Sequence, residues 1–186
     1  MDVRHPRFFL NWYNVVTMKI KNSWIEKQSG LEATAEYEDV DDFSALPCKD
    51  CASIACLAFY NDKLLLVNHK DIKWTPPGGG IESNESFEEA AKRELMEEAD
   101  VEVIKYKPIG YQKAYLSKDY PDGPMKYQLR VYCEVRPVRD FSGDPDGDII
   151  EIKFIDPKDY KKYFDWGTVG DRLIERALEI HNGETL

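Results

Sequence analysis

The sequence predicts a domain of the α/β (α+β) class, with a mixed β-sheet whose faces are covered by helices. Strand-like runs at residues 53–60, 63–68, 101–106, 109–115, 127–135 and 149–155 are rich in β-branched and aromatic side chains and are bounded by turn residues. Segments 86–99 and 170–181 instead repeat their apolar residues every three to four positions, the helical period. The size agrees: 186 residues, 42% of them hydrophobic and 12% aromatic, suit one globular domain with a decoration.

Residues 19–47 are mixed and polar, apart from the alternating run Ala33-Thr34-Ala35-Glu36-Tyr37. Pro47-Cys48-Lys49-Asp50 reads as the turn that opens the main domain, so 1–47 are expected to form an N-terminal extension and 48–186 the domain proper. Within the extension, 1–17 read as a tail if Met18 is the start. Asn61-Asp62, between two apolar runs, reads as the tight turn of a β-hairpin. Trp74-Thr75-Pro76-Pro77 is expected to be extended, because consecutive prolines exclude helix, and Gly78-Gly79-Gly80 then allows unusual backbone angles. In the helix over 86–99, Phe87, Ala90, Ala91 and Leu95 form the apolar stripe, and Ser83, Asn84 or Ser86 supplies the N-terminal cap. Two loops rich in Asp, Gly and Pro follow, at 118–124 and 139–148. The end of the chain is expected to hold helices at 157–164 and 170–181, the second turning Leu173, Ile174, Ala177, Leu178 and Ile180 inward.

A net charge of −10 argues against broad nucleic-acid or anionic-membrane binding, both of which need a basic surface. It does not exclude polyphosphates, provided a divalent metal bridges the two negative partners. Residues 1–16 are apolar and aromatic in places, but Asn11 and Asn14 interrupt them and no small-residue cleavage site follows. With no apolar run long enough to span a bilayer, the expected location is cytoplasmic. Cys48 and Cys51 form a CxxC pair, yet a structural zinc needs four ligands and there is no second pair. Cys56 and Cys133 lie in apolar strand-like runs, so reduced thiols are expected.

The helix over 86–99 places Glu94, Glu97 and Glu98 at i, i+3 and i+4. Like charges at that spacing repel. They make sense around a hard divalent cation, which prefers oxygen ligands.

The spacing around them is specific. Gly79 is followed after five residues by Glu85, and after seven more by Arg93-Glu94-Leu95-Met96-Glu97-Glu98, with Val101 closing the motif. This resembles the box of the Nudix hydrolase family, and Trp74, Pro77-Gly78-Gly79 and Glu82 resemble its usual surroundings. The resemblance covers about residues 50–181 and implies the Nudix-type α/β/α sandwich. One position departs: Asp100 stands where the family has a helix-ending glycine, and Asp tolerates the left-handed conformation better than most residues. Asn84 replaces another frequent glycine in the same way.

The resemblance also implies roles. Glu97 and Glu98 would bind metal, with Glu94 as a further ligand or a base that orients water, and a backbone carbonyl near Gly79 would complete the shell. Arg93 would pair with Glu85 and hold loop and helix together. An additional acidic group beyond the box is expected at Asp148 or Glu151. The implied cofactor is Mg2+ or Mn2+. The implied reaction is hydrolysis of a diphosphate linkage in a nucleoside diphosphate derivative, a small-molecule nucleotide.

The box does not choose the substrate. A (deoxy)nucleoside triphosphate diphosphatase leads, followed by a nucleotide-sugar or dinucleoside polyphosphate hydrolase. A non-catalytic nucleotide-binding module is the rival from another class, disfavoured because it has no need of a repulsive glutamate cluster. Tyr111, Tyr115, Tyr120 and Tyr127 are candidates to stack on a base, and Lys113, Lys126 and Arg130 to touch phosphate; ordinary packing and solvation are the alternatives. The run Gly143-Asp144-Pro145-Asp146-Gly147-Asp148 resembles a calcium loop but lacks its closing glutamate, so a loop at the rim of the site is expected. Residues 1–47 are a candidate oligomerisation arm, in which case the chain would form a homodimer.

Overall fold

The computed structural model describes residues 18–25, 29–71, 73–119 and 123–183. The expectations for 1–17, for Tyr120 and for the Cys48 side chain lie outside the described residues. In chain order the elements are β1 (Lys19–Ile25), β2 (Glu32–Glu38), β3 (Cys51–Tyr60), β4 (Lys63–His69), β5 (Lys73–Thr75), α1 (Phe87–Ala99), β6 (Val101–Leu116), β7 (Lys126–Pro137), β8 (Ile149–Ile155) and α2 (Gly167–His181). The strands join in one sheet of order β1-β2-β6-β7-β3-β4-β5, with β8 also paired to β4. The β3–β7 pair is parallel and the other pairs are antiparallel, so the sheet is mixed.

Alternation along the strands makes the two faces. Ile54, Cys56 and Ala58 of β3 join Leu129, Val131 and Cys133 of β7 beneath Ala90, Ala91, Leu95 and Ala99 of α1. Leu57 and Phe59 turn the other way, with Leu64, Leu66 and Tyr132, against Leu173, Ile174, Ala177 and Ile180 of α2. The sheet therefore lies between the two helices as an α/β/α sandwich, and each fully buried Leu or Phe contributes about 1.5–3 kcal/mol.

Local chemistry accounts for the connections. Asn61 and Asp62 adopt φ of 46° and 59°, as a two-residue hairpin turn between right-twisted strands requires. Helix α1 is capped by Ser86, whose hydroxyl accepts from the Glu89 amide while the Glu89 carboxylate accepts from the Ser86 amide.

Three differences from the sequence reading have physical causes. Residues 101–106 and 109–115 form one strand, β6, because bulges at Val103/Lys105 and Pro108/Gly110 absorb the proline, which has no N–H to donate. Residues 157–164 form only a short 3-10 turn, Pro157–Lys162, capped by Asp156. Within 19–47, β1 is an additional strand, paired along its length to β2. β2 in turn pairs with β6, so the hairpin extends the same sheet.

The hairpin is also bound to α2. The buried Asp39 accepts from the Tyr37 hydroxyl at 2.8 Å and from Arg172 Nε and Nη2 at 3.0 and 2.9 Å. Arg176, also buried, reaches Asp39 at 3.7 Å and Asp41 at 2.9 Å. No helix of the described residues is long and apolar enough to cross a membrane.

Candidate active site

The glycine turn lies beside β3. The Ile54 amide donates to Gly79 O at 2.9 Å and the Cys56 amide to Pro77 O at 2.8 Å, which ties the turn to the sheet. Gly78 has φ of 145°, and a Cβ there would lie 2.1 Å from Ile54 O, so only glycine fits. At Gly79 the obstacle is the Glu94 carboxylate itself, whose oxygens would lie 2.6 and 2.7 Å from an added Cβ. The turn thus needs glycine to admit a glutamate.

Arg93 organises the remaining carboxylates. Its Nε donates to Glu85 Oε2 at 3.1 Å and its Nη2 to Glu85 Oε1 at 2.8 Å, a two-point clamp. Nη1 donates to Glu94 at 2.8 Å and to Glu97 at 3.1 Å, and Nη2 also reaches Gly80 O at 2.8 Å. This guanidinium joins loop to helix. The clamp from Arg93 holds the Glu85 carboxyl below its ordinary range.

The two glutamates nearest the sheet behave differently. Glu94 is 8% exposed, and burial raises its pKa despite Arg93. Glu98 accepts from the Gly78 amide at 2.7 Å, yet burial, with the charges of Glu94, Asp144 and Glu97, pushes it up to about 7. Burial thus favours the protonated form of both groups, and a cation at the site would favour their ionisation.

Among the described residues, no group of three or more His, Cys, Asp or Glu is gathered to hold a metal ion as it stands. Arg93 lies among Glu85, Glu94 and Glu97 instead. The donor set still fits a hard divalent cation: it is all oxygen, its glutamates lie together on α1, and a cation there would favour the ionised form of Glu94 and Glu98, which burial disfavours. The carbonyl of Gly79 already accepts one amide, which leaves it a second lone pair.

The other predicted residues are placed as follows. Asp148 pairs with Lys70, and Glu151 lies near Lys153 at 3.8 Å, half exposed. Tyr111 donates to Glu38 at 2.8 Å and stands 5.6 Å from the Tyr127 ring, while Tyr115 donates to Glu36 at 2.6 Å. Lys113 pairs with Glu36 at 3.0 Å. Lys126 is exposed at the start of β7. Arg130 is buried, donates to Gln112 and Gln128 at 3.3 and 3.0 Å, and lies 5.6 Å from the Trp166 ring; burial lowers its pKa to about 10. Cys56 and Cys133 are buried thiols, not a disulfide.

The sequence reading missed Asp144. In the run that resembled a calcium loop, its carboxylate accepts the amides of Asp146, Gly147 and Ile149. Those bonds outweigh burial and keep its pKa low, and its charge is felt at Glu98. Its only sequence signal is the Asp-Pro-Asp-Gly turn pattern.

The model of the NUDIX domain matches residues 50–176. This chain belongs to the Nudix family. As a Nudix protein it is a hydrolase acting on acid anhydrides, a pyrophosphohydrolase. It is 28% identical over 134 residues to an RNA pyrophosphohydrolase of Bartonella clarridgeiae, a match spanning 67% of this chain and 76% of that one. Its fold superposes on a crystal structure of a Bacillus subtilis pyrophosphohydrolase with a TM-score of 0.58 at 18% identity, covering 78% of this chain and 92% of that one. A Nudix hydrolase from Nitrosomonas europaea gives 0.51 at 20% identity, covering 71% and 88%. At such identities the structural matches speak for the fold. Nudix hydrolases generally need a divalent metal.

Proposed function

We propose that this Nudix protein is a Mg2+- or Mn2+-dependent diphosphatase acting on the triphosphate of a nucleotide, with Glu94, Glu97, Glu98 and the Gly79 carbonyl holding the ion. The observation that carries this is the fit of the buried Glu94 carboxylate against Gly79, beside a Glu98 whose pKa is pushed up to about 7. A divalent ion bound there would neutralise phosphate charge and make a bound water a better nucleophile near neutral pH. The protein's own part is orientation. Arg93 fixes Glu85, Glu94 and Glu97 relative to one another, and the Gly78 amide aims Glu98. Glu94, oriented by Arg93, is the group that would position the attacking water and accept its proton.

A free (deoxy)nucleoside triphosphate is the leading substrate, in keeping with the net charge of −10, which gives little attraction for a long polyanion. The triphosphorylated 5′ end of an RNA is the second reading, favoured by the name of the Bartonella relative.

A panel of nucleoside triphosphates, nucleotide sugars, dinucleoside polyphosphates and a short 5′-triphosphorylated RNA, each with Mg2+, tests both readings. Expected is release of pyrophosphate or phosphate by wild type and loss of about 100-fold or more in Glu98→Gln, the scale seen when a charge-stabilising group is removed. Equal inertness of both proteins on every compound defeats the catalytic reading. Full activity in Glu98→Gln defeats the ligand assignment.

A further inference from the structure

β1 lies at the end of the sheet, and among the described residues only β2 pairs with it. Such an edge presents unpaired N–H and C=O groups and is a template for a further strand. Proteins commonly guard it with charge, proline or a bulge. β1 has no proline, and its pairing with β2 runs without a break from Lys19↔Glu38 to Ile25↔Glu32. Its two lysines are already matched within the chain, Lys19 to Glu38 at 3.0 Å and Lys21 to Glu36 at 3.3 Å. Beside them stand exposed apolar side chains: Met18, Trp24 and Ile25 are 46%, 47% and 64% exposed.

The strand is complementary to itself. Two identical strands paired antiparallel about a two-fold axis keep like faces together, so the residues that meet share one face of the sheet. Centred on Asn22, such a pair sets Ile20 opposite the partner's Trp24, Lys21 opposite the partner's Ser23 and Lys19 opposite the partner's Ile25. The whole of Lys19–Ile25 is matched, apolar Ile20 meets apolar Trp24 at both ends, and no charge meets its like. Centring on Lys21 would set lysine against lysine, and centring on Ser23 would set Trp24 against Asn22. Along one row of the joined sheet the order would be Glu38, Lys19, the partner's Ile25 and the partner's Glu32, which keeps opposite signs apart from like ones.

Ile20 packs against the core on the α2 side, and Trp24, four residues on, shares its face. A groove of about 720 Å3 runs between β1 and α2, bordered by Met18, Ile20, Thr168, Asp171, Arg172 and Glu175. A second β1 laid along the first would bring the partner's Trp24 beside Ile20 at the rim of this groove and take its ring out of water.

We propose that β1 is a self-association surface, to which a second copy of this chain adds its own β1 antiparallel about a two-fold axis at Asn22, joining the two sheets into one. This narrows the oligomerisation arm expected within residues 1–47 to a single strand.

Sedimentation over a range of concentrations, with amide hydrogen exchange, tests the surface in wild type and Trp24→Glu. Expected is a wild-type dimer in which β1 amides exchange more slowly as concentration rises. Trp24→Glu should weaken that dimer by about 30-fold or more, the scale of losing one interface anchor. A wild type that stays monomeric at every concentration, or a dimer that Trp24→Glu leaves as tight, overturns the proposal. Mild oxidation of single-cysteine variants reads the register, with wild type, whose described free cysteines are buried, as the control. Asn22→Cys should link to its own copy. Lys21→Cys and Ser23→Cys should link poorly alone and well when mixed, because opposite residues lie within disulfide reach and diagonal ones do not. Linking of Lys21→Cys alone as readily as Asn22→Cys overturns the two-fold axis at Asn22.

Discussion

Gly79 and Glu94 fit so closely that a single methyl on Gly79 would lie 2.6 Å from Glu94 Oε1 and 2.8 Å from its carboxyl carbon. Both atoms belong to the site, so the clash cannot be relieved without moving a proposed ligand. We predict that Gly79→Ala lowers kcat by about 100-fold, the penalty of displacing a reacting group by about 1 Å. The fall in thermal stability should be modest, since the atoms that must yield are the far end of one flexible side chain and not backbone. Steady-state kinetics with a melting curve checks this, and unchanged kcat would show that Glu94 need not be where it is.

Arg93 neutralises more carboxylate than any other described residue of the site, meeting Glu85, Glu94 and Glu97 at once. Arg93→Ala should destabilise the metal-free protein by about 2–4 kcal/mol, because partners lose their compensation together. Arg93→Lys should recover less than half, as an ammonium cannot clamp both oxygens of Glu85 while reaching Glu94 and Glu97. Urea denaturation in a chelator measures both variants.

Glu98 sets a pH dependence whose sign is unusual for a carboxylate. Its pKa in the fold is about 7, above the unfolded value of 4.5, so the folded state binds the proton more tightly. Stability from this group is complete below about pH 4.5 and is lost as pH rises through 7, amounting to about 3 kcal/mol at most. Metal-free wild type should therefore gain less stability between pH 5 and 8 than Glu98→Gln, in which the group cannot ionise. Mn2+ affinity should run the opposite way, weakening as pH falls through 7, because the ligand must be deprotonated. Denaturation and metal titration over that range separate the two effects.

The helix with its glutamates was legible because every signal in it is local: a period of 3.6, a cap within three residues, and a motif of fixed spacing. The capping residue was narrowed to three candidates, and the reciprocal bond with Glu89 selects Ser86. Strand β1 was illegible for the opposite reason. Lys19, Lys21, Asn22 and Ser23 lie on an edge strand that is exposed along almost its whole length, so no apolar alternation marks it, and only pairing with β2 makes it a strand. Pro108 reads as a breaker in isolation, but a bulge in the β6–β7 ladder accommodates it. Asp100 could be read as a residue that tolerates the left-handed helix end. Its bond to Ser142 spans 42 residues and has no local signature.

The Asp39–Arg176 pair offers a test of the same kind away from the site. Both residues are buried, at 6% and 3% exposure, and they link the end of β2 to α2 together with Arg172 and Asp41. Removing one partner of a buried pair leaves the other charged and poorly solvated, so Asp39→Ala should cost about 3–5 kcal/mol. Arg176 already has an Nε without a hydrogen-bond partner, so the network is imperfectly satisfied from the start. Replacing Asp39, Arg172 and Arg176 together by apolar residues of similar volume should recover most of that loss, because the desolvation cost disappears with the charges. Hydrogen exchange should then distinguish a global from a local effect: in Asp39→Ala the amides of β1 and β2 should exchange faster than those of β3 and β7. Equal acceleration in all four strands would mean that the hairpin and the rest of the sheet unfold as one unit, with Asp39 stabilising the whole and not only the seam.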